Sequence, residues 1–257
     1  MSDDKYNLDI ATKLVHASGR NQPPTGQPTA TPIYASATYT YESMAEIDKV
    51  FGGELPGYIY TRYGNPTVTA LETAIQVIEA GATACAYSSG MAALHASLIS
   101  CELSSGATVL ASQDLYGATT NLLQAILGPF GIKTVTVDFA NLDEVRSKAR
   151  EIKPRVLIAE TISNPLLKVC DIDACAEIAR EVGARLIIDN TFASPYLCQP
   201  LRHGADFVRI IVRSYSAGVA GSLRRHDQSV ANNLWFIRNQ NRHGRLRQSR
   251  RITLKSS

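Results

Sequence analysis

Acidic residues all but vanish from the last 49 positions of this 257-residue chain. Residues 209–257 hold ten Arg, one Lys and a single acid, Asp227, a balance of +10. Residues 1–208 hold 15 Lys+Arg against 22 Asp+Glu, a balance of −7, so the overall charge of +3 joins two chemically different segments. Lysine is missing too: none stands between Lys168 and Lys255. No apolar run approaches the ~20 residues that cross a bilayer, which excludes a membrane-spanning helix. The opening stretch, MSDDKYNLDIATKLVHAS, is polar and acidic and lacks the apolar centre of a signal peptide. Cysteine is scarce, odd in number and scattered (Cys85, Cys101, Cys170, Cys175, Cys198). That argues against a disulfide framework and for a reducing, cytoplasmic setting. Cys170 and Cys175 have no companion His/Cys cluster, so no metal is expected.

What is present changes character along the chain. Residues 19–45 are rich in Pro, Thr, Gly and Tyr without helical period, and residues 1–60 are read as an extended N-terminal arm with little core of its own. From about Val68 a helix begins, with Val68, Leu71 and Ile75 at i, i+3 and i+7. Short apolar runs then alternate with helical segments. Strands are predicted at 83–88, 107–112, 132–137, 155–160 and 185–190, and helices at 91–102, 118–128, 141–152 and 172–183. Strands apolar on both faces, alternating with helices, predict an α/β domain with a mostly parallel, doubly covered sheet.

Ligands of such sheets lie outside the carboxyl ends of the strands. Four predicted strand ends carry polar groups there: Ser88-Ser89-Gly90-Met91, Asp114-Leu115-Tyr116-Gly117, Glu160 to Pro165, and Asp189-Asn190-Thr191. The first opens a helix, whose free N–H groups and positive dipole end suit a phosphate.

The strings TKLVHAS, PIYASATYTY, YIYTRYGNPTVTALE, YSSGMAA, DLYGATTNLL, ETISNPLLKV and DNTFASPYLCQPLRHGADFV, taken together, resemble the Cys/Met metabolism (trans-sulfuration) family of pyridoxal-phosphate enzymes over about residues 12–208. That family includes cystathionine γ-synthase, cystathionine γ- and β-lyases, methionine γ-lyase and homoserine sulfhydrylases. The resemblance implies an aspartate-aminotransferase-like (fold type I) large domain at 61–208 and pyridoxal 5′-phosphate as cofactor. It also implies an amino-acid substrate carrying a sulfur or other Cβ/Cγ substituent, and a homo-oligomer built as a dimer of dimers. By position, Gly90 and Met91 would give backbone N–H groups to the phosphate. Tyr60 and Arg62 would reach a neighbouring subunit's phosphate, where the planar guanidinium pairs phosphate oxygens well. Tyr116 would stack on the ring and assist catalysis, Asn164 would bond the ring hydroxyl, Asp189 would pair with the ring nitrogen, and Thr191 would lie beside it.

After HGADFV the resemblance fails. The family continues with a Ser-x-Thr-Lys segment whose lysine links to the cofactor. Here, in VRIIVRSYSAGVAGS, Ser214 takes the lysine position without a gap; shifted by three residues, Ser214 and Ser216 take the phosphate-binding hydroxyls and Ala217 the lysine position. Neither alignment supplies an amine. Cofactor binding is therefore expected to be non-covalent at best and the chain inactive, with the C-terminal domain missing and 209–257 a basic tail, disordered or non-native. A frameshift or truncation near Val208 is the expected origin. Lys168 is expected to be a solvated strand-edge residue. Two other roles are weighed: a non-catalytic subunit that completes a paralogue's site through Tyr60 and Arg62, and a basic tail that binds nucleic acid or an anionic surface. The second lacks any accompanying nucleic-acid fold motif, and neither a nucleic-acid nor a membrane partner is expected.

Overall fold

The computed structural model describes residues 28, 29 and 31–211 and the backbone of Leu234–Arg238. The chain divides into two units, Met1–Ile33 and Tyr34–Ser257, and the architecture that follows is that of the second. Ser214 and Ser216 lie outside the described residues.

Two helices lead in. Helix α1 (Met44–Phe51) starts at Ser43, whose hydroxyl accepts from the Glu46 N–H, while the Glu46 carboxylate reaches back to the Glu42 N–H. This Ser-x-x-Glu pairing is close to a capping box and explains a helix inside a segment expected to be extended throughout. None of its residues is buried. Helix α2 (Pro66–Ile78) has Asn65 as its cap, accepting from the Thr67 N–H at 2.9 Å, and Pro66 in the first turn, where its missing N–H costs nothing. The Asn65 side-chain amide also donates to the Tyr34 carbonyl, and the Tyr34 N–H to the Thr67 hydroxyl, so the lead-in is pinned to the start of α2.

Among the described residues the sheet has seven strands: β1 (Thr83–Tyr87), β2 (Thr108–Ser112), β3 (Lys133–Val137), β4 (Val156–Glu160), β5 (Arg185–Asp189), β6 (Phe207–Ile211) and β7 (Leu234–Arg238), in the order β1-β7-β6-β5-β4-β2-β3. Every pairing from β6 to β3 is parallel; β7 runs antiparallel between β1 and β6. The five strands predicted from apolar runs are each found within a residue of the expected bounds. Between them stand α3 (Gly90–Ser100), α4 (Gly117–Asn121), α5 (Leu142–Ile152), α6 (Ile172–Glu181) and the short α7 (Ser194–Leu197). The helix expected at 118–128 is broken: α4 gives way to a wider π-turn at Leu122–Ile126 and a tight turn at Gly128–Phe130. Pro129 closes that pattern, because it cannot donate a helical hydrogen bond.

Two stretches of the expected tail lie in the sheet. Ile210, 3 % exposed, continues the alternation of β6 past the boundary expected at 208. The segment LWFIR, an apolar patch in the basic region, forms β7.

Alternation along the strands builds two cores. Leu110, Leu157, Leu186, Ile188 and Val208 face α2, α5 and α6; Val109, Ala111, Val156, Ile158, Ile187 and Phe207 face α3 and the π-turn. Successive strand residues point to opposite faces. Glu160, Asp189 and Arg209, each two places beyond Ile158, Ile187 and Phe207, therefore point toward the α3 side at the carboxyl ends of their strands. Entry into β6 requires Gly204: its φ is +91°, and a Cβ there would meet the Ala176 Cβ of α6 at 2.9 Å. Asp206 then locks β6 onto β5, accepting from the Leu186 N–H at 2.8 Å and from Arg185 at 3.1 Å.

Candidate functional site

The crossover from β2 runs outward to β3, whereas the later strands continue the other way from β4, so the gap between β2 and β4 is a topological switch point. The loops that follow these strands meet there: the Tyr116 N–H donates to Glu160 Oε1 at 2.6 Å. The Asn164 N–H also donates to the Glu160 carboxylate. Burial holds the Glu160 pKa above the usual carboxylate range against these two donors; the Asp189 charge raises it further and Arg209 lowers it. Glu160 is thus the hub joining the Tyr116 loop, the Asn164 loop and the ends of β5 and β6. Sequence reading placed it on the rim but gave it no role.

Helix α3 runs back from this edge, with its N-terminus at the rim. Ser89 caps it, accepting from the Ala92 N–H at 3.2 Å, and the Ser89 carbonyl takes the Ala93 N–H. The N–H groups of Gly90 and Met91 have no intrahelical partner, as first-turn geometry requires. Gly90 is buried and Met91 half-buried, beside exposed Ser88 and Ser89. Tyr116 leaves its ring more than half exposed at the start of α4.

At the other end of the rim most of the polar groups bond one another. Asp189 Oδ1 accepts from the Thr191 N–H (3.0 Å) and the Thr191 hydroxyl (2.6 Å). Its Oδ2 pairs with the guanidinium of Arg209, its register partner on β6. Both side chains are nearly sealed from solvent, 9 % and 3 % exposed, and Arg209 Nε is buried without a hydrogen-bond partner. Arg209 escaped the sequence reading; the available signal was a lone charge in the apolar run FVRII. Beneath it the Asn190 amide joins the Cys198 carbonyl (2.9 Å) to Glu79 Oε1 (3.3 Å), while the Thr161 hydroxyl donates to Asn190 Oδ1 (2.7 Å). Glu79 is fully buried, and desolvation pushes its pKa up to about 7 against the opposing bond from Asn190.

Asn164 is exposed and precedes a cis peptide to Pro165. Tyr60 and Arg62 are exposed and partnered with each other: the guanidinium stacks 5.0 Å from the Tyr60 ring and 5.6 Å from Tyr63. Lys168, expected to be solvated, keeps 37 % of its side chain exposed and also bonds Asp114 Oδ2 (2.8 Å) and Asp138 Oδ2 (3.2 Å); these two carboxylates hold its pKa above the usual lysine value.

The profile of the Cys/Met metabolism PLP-dependent enzymes matches residues 11–240. A cystathionine gamma-synthase of Mycobacterium tuberculosis is 38% identical over 233 residues, covering 89% of this chain and 58% of the relative. An L-methionine gamma-lyase of Fusobacterium nucleatum is 38% identical over 212 residues, covering 81% of this chain and 53% of the relative. Among solved structures, a Campylobacter jejuni protein described as an O-acetylhomoserine (thiol)-lyase, carrying N'-pyridoxyl-lysine-5'-monophosphate, superposes with a TM-score of 0.70 at 31% identity. It covers 82% of this chain and 49% of that one. The chain spans little more than half the length of the curated relatives it matches. Its sheet is that of fold type I pyridoxal-phosphate enzymes, as expected. Against that cofactor the rim divides. Uncommitted N–H groups at Gly90 and Met91 and an open Tyr116 ring suit a phosphate and an aromatic ring. The carboxylate of Asp189 does not suit a ring nitrogen, because Arg209 already neutralises it.

Proposed function

The chain belongs to the Cys/Met metabolism PLP-dependent enzyme family, and from that premise we propose that it is a trans-sulfuration-type protein that holds pyridoxal phosphate non-covalently and does not by itself turn over substrate. Gly90 and Met91 receive the phosphate, Ser214 and Ser216 add hydroxyls to it, the Tyr116 ring covers the cofactor ring, and Asn164 and Thr191 lie at its edges. The substrate class is amino acids with a sulfur-bearing or otherwise substituted side chain. The assembly is a dimer of dimers, and five scattered cysteines favour the cytoplasm.

The observation that carries the reading is the state of Lys168. A lysine must shed its proton to act as a nucleophile. Lys168 is tied to Asp114 and Asp138, which hold the proton on, and no other lysine follows before Lys255. The test is reductive trapping. The purified chain is incubated with pyridoxal phosphate, treated with borohydride and mapped by mass spectrometry, alongside a C–S cleavage assay on cystathionine. The expected result is no pyridoxyl-lysine and no turnover above free cofactor. A stoichiometric adduct at Lys168 or Lys255 would overturn it.

A second reading is favoured by the exposed, mutually stacked Tyr60 and Arg62: the chain completes the phosphate site of a catalytically intact paralogue. Mixing it with a paralogue disabled at its own Tyr and Arg positions would restore activity if this holds, and would leave the paralogue inactive if not.

A further inference from the structure

The disagreement at Asp189 has a chemical consequence that deepens the cofactor reading and rests on it. We propose that Arg209 is a specificity-determining residue that makes this rim indifferent to a basic ring nitrogen, so that the chain binds phosphorylated aromatic rings through the phosphate and the ring face alone.

Three features of the pair carry this. First, the pairing is built into the sheet. Asp189 and Arg209 are register partners on adjacent parallel strands, point to the same face, and follow the packed pair Ile187 and Phe207 by two residues. Second, the carboxylate is nearly saturated. Thr191 fills Oδ1 with two donors and Arg209 takes Oδ2, using three of the roughly four acceptor positions a carboxylate offers. Third, the guanidinium sets a positive charge directly against Oδ2. A ring nitrogen that arrived protonated would place a second positive charge beside Arg209, in a pocket where both existing side chains are almost fully enclosed. Like charges in such a place disfavour protonation. The nitrogen therefore stays neutral, and Asp189 lends it nothing. Glu160, the other nearby carboxyl, is engaged by the Tyr116 and Asn164 N–H groups and does not take over that role.

The experiment needs no substitution in its main arm. The full chain is titrated, with fluorescence or calorimetry as readout, against pyridoxal 5′-phosphate and against its 1-deaza analogue, the same phosphate ester on a benzene ring. The expected affinities lie within about threefold of each other, because the nitrogen contributes nothing. A preference of tenfold or more for the pyridine, worth about 1.4 kcal/mol, would show Asp189 to be available and would overturn the proposal. In Arg209→Val, where the carboxylate is freed, the pyridine is expected to gain at least tenfold over the analogue. Adding Asp189→Asn to that variant removes the gain, and a gain that survives it would also overturn the proposal. Failure of the native chain and of Arg209→Val to bind either compound at millimolar concentration removes the cofactor reading itself and the proposal with it. That outcome differs from equal, measurable binding of the two compounds, which supports both.

Discussion

The two ends of the rim are built from different materials. At the α3 end the binding groups are main-chain N–H donors set by helix geometry, and they stand uncommitted beside exposed Ser88 and Ser89. At the β5–β6 end the groups are side chains, buried and already spent on one another: Asp189 with Arg209 and Thr191, and Asn190 with Thr161, Glu79 and the Cys198 carbonyl. Backbone donors survive almost any substitution that leaves the helix in place. A side-chain site can be rewritten by a single residue, and the guanidinium at 209 does that here. The phosphate end of a site is therefore the more durable half, and the half that recognises the chemistry of the ring is the one a single change can convert.

The sharpest way to break this contrast is to isolate the buried carboxylate. Arg209→Ala leaves the enclosed Asp189 carboxyl without its ion-pair partner, and urea denaturation is expected to show a loss of about 3–5 kcal/mol. The combined Asp189→Asn, Arg209→Val variant, which removes both charges, is expected to recover most of it. A loss near zero for the single variant would mean that the pair is not what organises this end of the rim.

The next effect comes from Glu79. Its folded-state pKa, about 7, lies above the value of 4.5 for the exposed side chain. The folded state therefore holds the proton more tightly than the unfolded chain does. The resulting stabilisation is complete below about pH 4.5 and is lost as pH rises through 7. Stability measured from pH 5 to pH 8 is expected to carry a downward component on the order of 3 kcal/mol at most. Glu79→Gln should flatten that component, and an unchanged pH profile in the variant would assign the slope elsewhere.

The smallest effect belongs to the open end. Ser89→Ala removes the cap of α3 and should cost about 1 kcal/mol in thermal or chemical denaturation. The pH component assigned to Glu79 should be untouched, because the two ends share no side-chain partner among the described residues. A coupled change would erase the distinction between the ends.

Much of this was legible in the chain. Apolar runs bounded by polar turns located five strands to within a residue; β2, β4 and β5 are covered on both faces and read as continuous hydrophobic stretches, while the partly exposed β1 and β3 were marked by their shorter apolar runs. The polar residues just past them gave the rim. The remainder depended on long-range pairing. The strand LWFIR carries no local mark of its destination between β1 and β6, and its basic surroundings argued against any fold at all. Arg209 read as the first residue of a foreign tail, since nothing in FVRII names Asp189 as its partner twenty positions earlier. Glu160 ended a strand like any acid at a loop, and only the fold brings the Tyr116 and Asn164 N–H groups onto it. Helix α1 was the exception: its Ser-x-x-Glu cap was local and readable, but aromatic and proline-rich neighbours hid it.

The place of β7 bears on how the molecule comes into being. Strand β7, the last among the described residues, fills a gap between the first strand and the sixth, joining Thr83–Tyr87 to Phe207–Ile211. During synthesis β1 leaves the ribosome about 150 residues ahead of its only sheet neighbour among the described residues, and β6 also keeps one edge bare until residues 234–238 arrive. Contacts of such sequence separation form late and slowly. Until they do, β1 and the facing edge of β6 stand unpaired, each able to pair with a second copy.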